Sequence, residues 1–263
     1  MDLQKYCPRK VVSAETAISK IKRGSRVFVG TGCGEPQHLI RNMVQDLNMQ
    51  DIMVYQMLSS TFSQFIEEES FLRRFSLKLF FISRALRKAA AEGKLDYLPT
   101  YLSQIPTLFY SKRIGLDVAL IQVSPPDKFG YCSLGVSVDI TRSGMESAKT
   151  VIAQVNPRMP KTWGDSFVHV DEIDYLVLHE EPVVESLSTR KQNEITRRIG
   201  HFVSEVVDNE ATLQIGFGHL PNEILPYLDK KKDLGIHTQV ITDGLLPLLK
   251  KKVITNKKKT LIP

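Results

Sequence analysis

The chain has 263 residues, 42% of them hydrophobic and 24% charged, which supports one large core or two smaller ones and excludes a disordered polypeptide. No apolar run approaches the roughly 18 to 20 residues of a membrane helix, and the amino end, Met1 to Lys10, is polar and charged, so no membrane partner and a cytoplasmic location are expected. A net charge of +6 suits an anionic ligand, but no helix-turn-helix, RNP-like or zinc pattern accompanies it, which removes nucleic acid as a partner.

In chain order, Ser13-Ala14-Glu15-Thr16 followed by Ala17, Ile18 and Ile21 predicts a capped amphipathic helix that Gly24 stops. Arg26 to Val29 is a short apolar strand feeding a glycine-rich turn, Gly30 to Pro36, and then a helix of roughly Gln37 to Leu47. Apolar runs at Ile52 to Met57, Leu77 to Ile82, Val118 to Val123, Thr150 to Val155 and Tyr175 to Leu178 read as buried parallel strands, with helices at Arg84 to Glu92 and Ile140 to Ala148 between them. The alternation predicts an α/β fold with an open, mostly parallel sheet and helices on both faces. The polar stretch Ser186 to Glu194 marks a linker, and a boundary near residue 195 divides the chain into residues 1–195 and 196–263.

The opening unit recurs. Ile199 to Val206 is helical in pattern, Ala211 to Ile215 reads as a strand, Gly216 to Pro221 mirrors the first glycine loop, and Asn222 to Leu228 is helical. Gly30, Gly32 and Pro36 answer to Gly216, Gly218 and Pro221, which reads as a duplicated α/β module.

Chemistry-bearing residues are sparse. Cys7, Cys33 and Cys132 lack paired spacing, and the six histidines form no ligand pair on a helical face, so no disulfide framework and no metal are expected. Cys132 and Ser133 have no suitably placed histidine and read as packing residues. Glycines in the Gly30 to Pro36 loop would let backbone amides approach a ligand oxygen, making Gly32, Cys33 and Gly34 a candidate oxyanion hole, although the same turn would serve as a plain connection. The spacing is not that of a dinucleotide fingerprint. Lys250, Lys251, Lys252, Lys257, Lys258 and Lys259 read as a solvated face, with a phosphate contact as the alternative.

Two runs carry a resemblance: Asp117-Val118-Ala119-Leu120-Ile121-Gln122-Val123-Ser124-Pro125-Pro126-Asp127, continuing to Gly130-Tyr131-Cys132-Ser133-Leu134-Gly135, and Ala153-Gln154-Val155-Asn156-Pro157-Arg158-Met159-Pro160. With Leu213 to Gly218, Gly235 to Gly244 and Val253 to Leu261, they make the chain similar to the acetyl-CoA hydrolase/transferase family, which holds the 4-hydroxybutyrate, acetate and succinate CoA-transferases. The resemblance implies coenzyme A or acyl-CoA as substrate, no permanently bound cofactor, a short carboxylic acid as second substrate, and covalent catalysis on a glutamate through a glutamyl-CoA thioester. It places Asn156 and Met159 in the active-site cleft and assigns Gly216, Phe217 and Gly218 to coenzyme A.

The family motif Gly-Ile-His-Ser/Thr-Glu falls on Gly235, Ile236, His237, Thr238 and Gln239, so an amide occupies the glutamate position. A neutral carboxamide is a far poorer nucleophile than a carboxylate, and loss of a covalent nucleophile can cost on the order of 10⁴ to 10⁶ in rate. The chain is therefore expected to be impaired in transfer. A naturally inactive relative, an engineered isosteric trap and a misaligned site all remain open, as does a non-catalytic acyl-CoA-binding or partner-subunit role. The resemblance also implies a whole first domain and only the beginning of a second, hence a homo-oligomer or a missing carboxyl-terminal half.

Overall fold

A seven-stranded parallel sheet organises the first part of the chain, and its two faces follow from the sequence of its strands. The computed structural model describes Leu3 and residues 7–185, 193–216 and 218–260. Strands β1 (Arg26–Val29), β2 (Ile52–Gln56), β3 (Phe75–Leu79), β4 (Asp96–Tyr97), β5 (Leu116–Val123), β7 (Ala148–Val155) and β9 (Tyr175–Leu178) lie in the order β4-β3-β2-β1-β5-β7-β9. All six pairings are parallel.

Alternate residues of each strand enter opposite cores, as the pleat requires. Val27 and Val29 join Val118 and Leu120 in one cluster, where helices Ala14–Ile18 and Gln37–Gln45 contribute Ile18, Leu39, Ile40 and Met43. Phe28 joins Ala119 and Ile121 in the other, with Ile105 and Phe109 from helix Ile105–Tyr110 and Met145 from helix Thr141–Ser147. Runs apolar on consecutive residues are the mark of strands covered on both sides. The expected α/β architecture, an open parallel sheet with helices on both faces, is the one observed.

Local chemistry sets the element ends. Ser13 caps the first helix, its hydroxyl accepting from the Thr16 amide at 3.2 Å. Gly144 is required by packing, because a Cβ there would lie 2.5 Å from the Phe28 ring. Strand β3 begins two residues earlier than the apolar pattern suggested, since Ile52 pairs with Phe75 and sets the register. Within the first part of the chain, two described strands fall outside the seven-stranded sheet. β6 (Tyr131–Ser133) and β8 (Phe167–His169) pair antiparallel, burying Cys132 and Val168 and leaving Tyr131 exposed.

The chain divides into two compact units, Met1–Ser186 and Leu187–Pro263. That division lies upstream of the expected boundary near residue 195. Residues 186–192 of the expected linker lie outside the described residues, while Asn193 and Glu194 already belong to a helix start. Asn193 Oδ1 accepts from the Thr196 amide at 2.8 Å and Thr196 Oγ1 accepts from the Asn193 amide at 3.1 Å, a reciprocal cap for helix Glu194–Val206. Two polar residues that looked like linker are a capping box.

The second unit repeats the order of the first: helix, strand, glycine loop, helix, strand. β10 (Thr212–Leu213) and β11 (Gly235–Ile236) pair in parallel, with helix His219–Ile224 between them. Its core gathers Ile215, Leu225, Leu228, Leu234, Leu245, Leu248, Val253 and Ile254.

Candidate functional site

β1 is flanked by β2 on one side and β5 on the other, so the chain reverses its direction of travel across the sheet there. In open α/β sheets the crevice beyond the carboxyl ends of the strands at such a switch point is the usual ligand address. The loop leaving β1 at this point is Gly30 to Pro36, with a 3₁₀ turn at Gly32–Gly34.

The loop is held on two sides. Thr31 Oγ1 donates to the Leu58 carbonyl at 3.0 Å and accepts from the Leu58 amide at 2.8 Å, while the Gly32 amide donates to the same carbonyl at 3.0 Å. On the other side the Gly34 amide donates to Ser137 Oγ at 3.2 Å, and a Cβ on Gly34 would sit 2.7 Å from Ser137 Cβ. Gly32 has φ +59°, the left-handed region glycine favours. In this conformation the Gly32 and Gly34 amides are engaged within the protein, and Cys33 is half-buried beside them.

Behind the loop runs a row of buried polar side chains. Glu35 Oε1 accepts from Gln56 Nε2 at 2.9 Å and from the Ser60 amide at 2.7 Å; Oε2 accepts from the Thr61 amide at 2.8 Å and the Thr61 hydroxyl at 2.6 Å. Burial pushes this carboxyl up, against the pull of the Thr61 and Ser60 donors. Gln122 Nε2 donates to the Glu35 carbonyl at 2.8 Å, and Gln122 Oε1 accepts from Gln154 Nε2 at 3.2 Å and Asn156 Nδ2 at 2.8 Å. Gln122 and Gln154 are direct register partners on β5 and β7. Glu35, Gln56, Gln122, Gln154 and Asn156 are each no more than 2% exposed.

The row ends on Glu181, beyond β9. Glu181 Oε1 accepts from Gln154 Nε2 at 2.7 Å and from the His38 amide at 2.9 Å, and Oε2 pairs with Arg41. Burial alone would raise its carboxyl, but the Arg41 and Gln154 bonds outweigh burial and hold it below the ordinary carboxylate range. The His38 and His179 rings stack with centroids 3.6 Å apart and planes 8° from parallel. Burial lowers the His38 imidazole, and the neighbouring His179 lowers it further.

The structure thus brings Gly32, Cys33, Gly34 and Asn156 to the carboxyl ends of the strands of the first unit. Asn156 is a strut there, its Nδ2 bonded to Gln122 and to the Glu181 carbonyl at 2.7 Å and its Oδ1 accepting from the Arg158 amide at 3.0 Å. Met159 is buried against Gly135, where a Cβ would fall 2.1 Å from its sulfur. Cys132 is fully buried, and burial pushes its thiol up to about 12, consistent with a packing role. The Glu35 row went unread in the sequence, though it left a signal: Gln56, Gln122 and Gln154 each interrupt an apolar strand at or next to its carboxyl end.

In the second unit, Gln239 is an exposed residue in a bend just past β11. Thr238 beside it donates its hydroxyl to the Ile215 carbonyl at 2.7 Å and accepts from the Ile215 amide at 3.0 Å. That clamp places Gln239 next to the start of the Gly216 loop. A Cβ on Gly216 would meet nothing within 4 Å, and Gly218 has φ +125°. Phe217 lies outside the described residues. Asp243 opens a 3₁₀ turn and Glu223 lies on helix His219–Ile224, neither in the bend that carries Gln239. Lys251 faces Asp229 at 3.5 Å and Lys258 faces Glu210 at 3.8 Å, so part of the lysine face is ion-paired surface. Among the described residues no group of three or more His, Cys, Asp or Glu side chains is arranged to hold a metal, and no helix is long and apolar enough to cross a membrane.

Comparison with known proteins agrees with this architecture. The model of the acetyl-CoA hydrolase/transferase N-terminal domain matches residues 1–187. A 4-hydroxybutyrate coenzyme A transferase of Clostridium kluyveri is 42% identical over 264 residues, covering 100% of this chain and 61% of that protein. A succinyl-CoA:acetate/propanoyl-CoA:succinate CoA transferase of Fasciola hepatica is 37% identical, covering 97% of this chain and 54% of that protein. Among solved structures, RipA from Yersinia pestis superposes with a TM-score of 0.90 at 30% identity, covering 99% of this chain and 63% of that one. The 4-hydroxybutyrate CoA-transferase of Porphyromonas gingivalis gives 0.77 at 29% identity, covering 99% and 62%. The chain spans about three-fifths of the length of these relatives. By sequence along its whole length and by fold, the chain belongs to the acetyl-CoA hydrolase/transferase family.

Proposed function

We propose that this protein binds a short-chain acyl-CoA thioester in a CoA-transferase-type site, and that Gln239 stands where covalent transfer needs a carboxylate. The carrying observation is the place of Gln239: exposed in the bend after β11, clamped through Thr238 beside the second glycine loop, within Gly-Ile-His-Thr-Gln. A transferring relative would attack the thioester carbonyl with a carboxylate, forming a mixed anhydride and releasing the CoA thiolate. The thiolate would then attack the glutamyl carbonyl of the anhydride, expelling the original acid as its carboxylate and giving a glutamyl-CoA thioester; the incoming acid would run the same two steps in reverse, leaving as its own CoA thioester and freeing the glutamate. The Gln239 amide carries no negative charge at neutral pH, so that first bond does not form at a useful rate. The domain reading goes with this function: the first unit is the amino-terminal family domain, and the second unit is a related α/β module.

The family match supports acyl-CoA and a carboxylic acid as the ligand classes. Calorimetric titration with acetyl-CoA, run beside a thiol-release assay, tests the reading. Saturable binding without release of free CoA is the expected result; no binding at millimolar acetyl-CoA, or steady thiol release, would count against it.

A further inference from the structure

Glu35 is the unusual group of the first unit. It is fully buried, it sits in the loop at the sheet's switch point, and the groups around its carboxylate are donors: Gln56 Nε2, the Ser60 and Thr61 amides, and the Thr61 hydroxyl, with the Ser59 hydroxyl beside them. Those donors come from the end of β2 and the turn that follows it. Gln56 is itself fixed, because its Nε2 also donates to the Gly30 carbonyl at 2.8 Å. Gln122 reaches the Glu35 carbonyl from β5. One residue therefore joins the loop after β1 to the turn after β2 and to the neighbouring strand. Apolar side chains of similar volume could make this region as stable. Gln56 Oε1 has no hydrogen-bond partner among the described residues, so the satisfied part of the network is the Glu35 carboxylate and its donors, and what that part adds is a fixed loop geometry.

We infer that Glu35 is a positioning residue, whose buried carboxylate locks the Gly30–Glu35 loop against the Ser59–Thr61 turn and so fixes the surface that an acyl-CoA thioester meets. This rests on the acyl-CoA reading for the ligand, and on the hydrogen bonds alone for the lock.

The donor set makes the inference sharp. In Glu35→Gln one carboxylate oxygen becomes an NH₂ group that faces either the Ser60 amide or the Thr61 amide. Whichever way the new side chain turns, one main-chain N–H loses its acceptor. Glu35→Asp keeps the charge but withdraws it by one methylene. Thr61→Val removes only the hydroxyl donor and leaves both amide bonds.

The experiment measures hydrogen exchange at residues 60 and 61 and acetyl-CoA affinity for the whole chain. It compares the parent, E35Q, E35D, T61V and I18V, the last a conservative core change on helix Ala14–Ile18 that touches none of the hydrogen bonds of Glu35. The expected result for E35Q is exchange about tenfold faster at Ser60 or Thr61, amides of Leu120 and Ile152 within about twofold, and affinity down about fivefold. E35D should fall between parent and E35Q. I18V should leave both readouts near parent, which separates positioning from loss of stability. Parent-like exchange at both amides, or parent-like affinity, in E35Q overturns the inference. If E35Q does not fold, T61V decides: about threefold faster local exchange with weaker binding supports the lock, and no change in either overturns it. Failure of the parent to bind acetyl-CoA sinks the acyl-CoA reading and with it the ligand role of Glu35, while the exchange data still judge the lock itself.

Discussion

Replacing Glu181 with glutamine tests whether the polar row holds the segment beyond β9 in place. Glu181 Oε1 accepts from the His38 amide and Gln154 Nε2, and Oε2 pairs with Arg41 and lies 4.0 Å from His179 Nε2, so whichever way it turns glutamine sets its NH₂ against at least one donor. A hydrogen bond to a charged group contributes about 1.5 to 3 kcal/mol. Arg41 is 35% exposed while Glu181 is 11% exposed, so solvent screening trims the loss to about 2 kcal/mol. For a unit of this size that lowers the melting temperature by about 4 to 8 °C. Scanning calorimetry and urea unfolding near neutral pH measure it.

The pH dependence sharpens this test. The folded-state carboxyl of Glu181 lies below its ordinary value, because the Arg41 and Gln154 bonds outweigh burial. Its stabilisation is therefore fully present above the unfolded value of about 4.3 and is lost as pH falls through the lower folded value. The gap between parent and E181Q should be constant above about pH 7.5, where His38 is neutral in both proteins, and narrow below about pH 4.3. A gap under about 0.5 kcal/mol at neutral pH, or one that widens as pH falls below about 4.3, refutes the reasoning.

Three further outcomes follow from the same structure. His38 has a folded value below the usual 6.5 through burial and the stacked His179, so stability should fall as pH drops below about 6.5; His38→Phe, which keeps the stack, should remove a few tenths to about 1 kcal/mol of that slope in urea titrations at successive pH values. Gly144→Ala drives a Cβ into the Phe28 ring at 2.5 Å, and urea unfolding should show a loss of about 1 to 3 kcal/mol despite alanine's better helix propensity. Thr238→Val removes both bonds to Ile215 and should cost about 1 to 2 kcal/mol, visible as faster exchange of the Ile215 amide with amides of β5 unchanged.

The sheet was legible because buried parallel strands write themselves as short, continuous apolar runs: β1 spans the residues the pattern marked, and β2, β5, β7 and β9 fall within two residues of it. Elements whose stability comes from tertiary partners were not legible. Helix Ile105–Tyr110 exposes Tyr110 and carries a proline in its first turn, and β6 and β8 are three residues each, identifiable only through their pairing. Helix Glu194–Val206 was legible from Ile199 onward, and its start was hidden because its cap is polar, and polar residues between domains read as linker. The site was half legible. Glycine loops and the Gln239 motif stand out locally, but the Glu35 row is assembled from three strands and the segments that follow β1, β2, β7 and β9, and no spacing along the chain foretells a glutamate meeting Gln56, Ser60 and Thr61. Asn156 was picked out correctly as a residue at a strand end, and the structure shows its side chain bonded to protein groups on both its nitrogen and its oxygen.

The most direct test of the central claim is intact-mass and peptide mass spectrometry on the parent and Gln239→Glu proteins after incubation with acetyl-CoA. The account requires a covalent CoA adduct at position 239 in Q239E and none in the parent, because only the carboxylate can form the anhydride that the CoA thiolate captures. Equal adducts on both proteins, or an adduct on any other side chain, would show that the nucleophile lies elsewhere and that Gln239 is not the residue withholding the reaction.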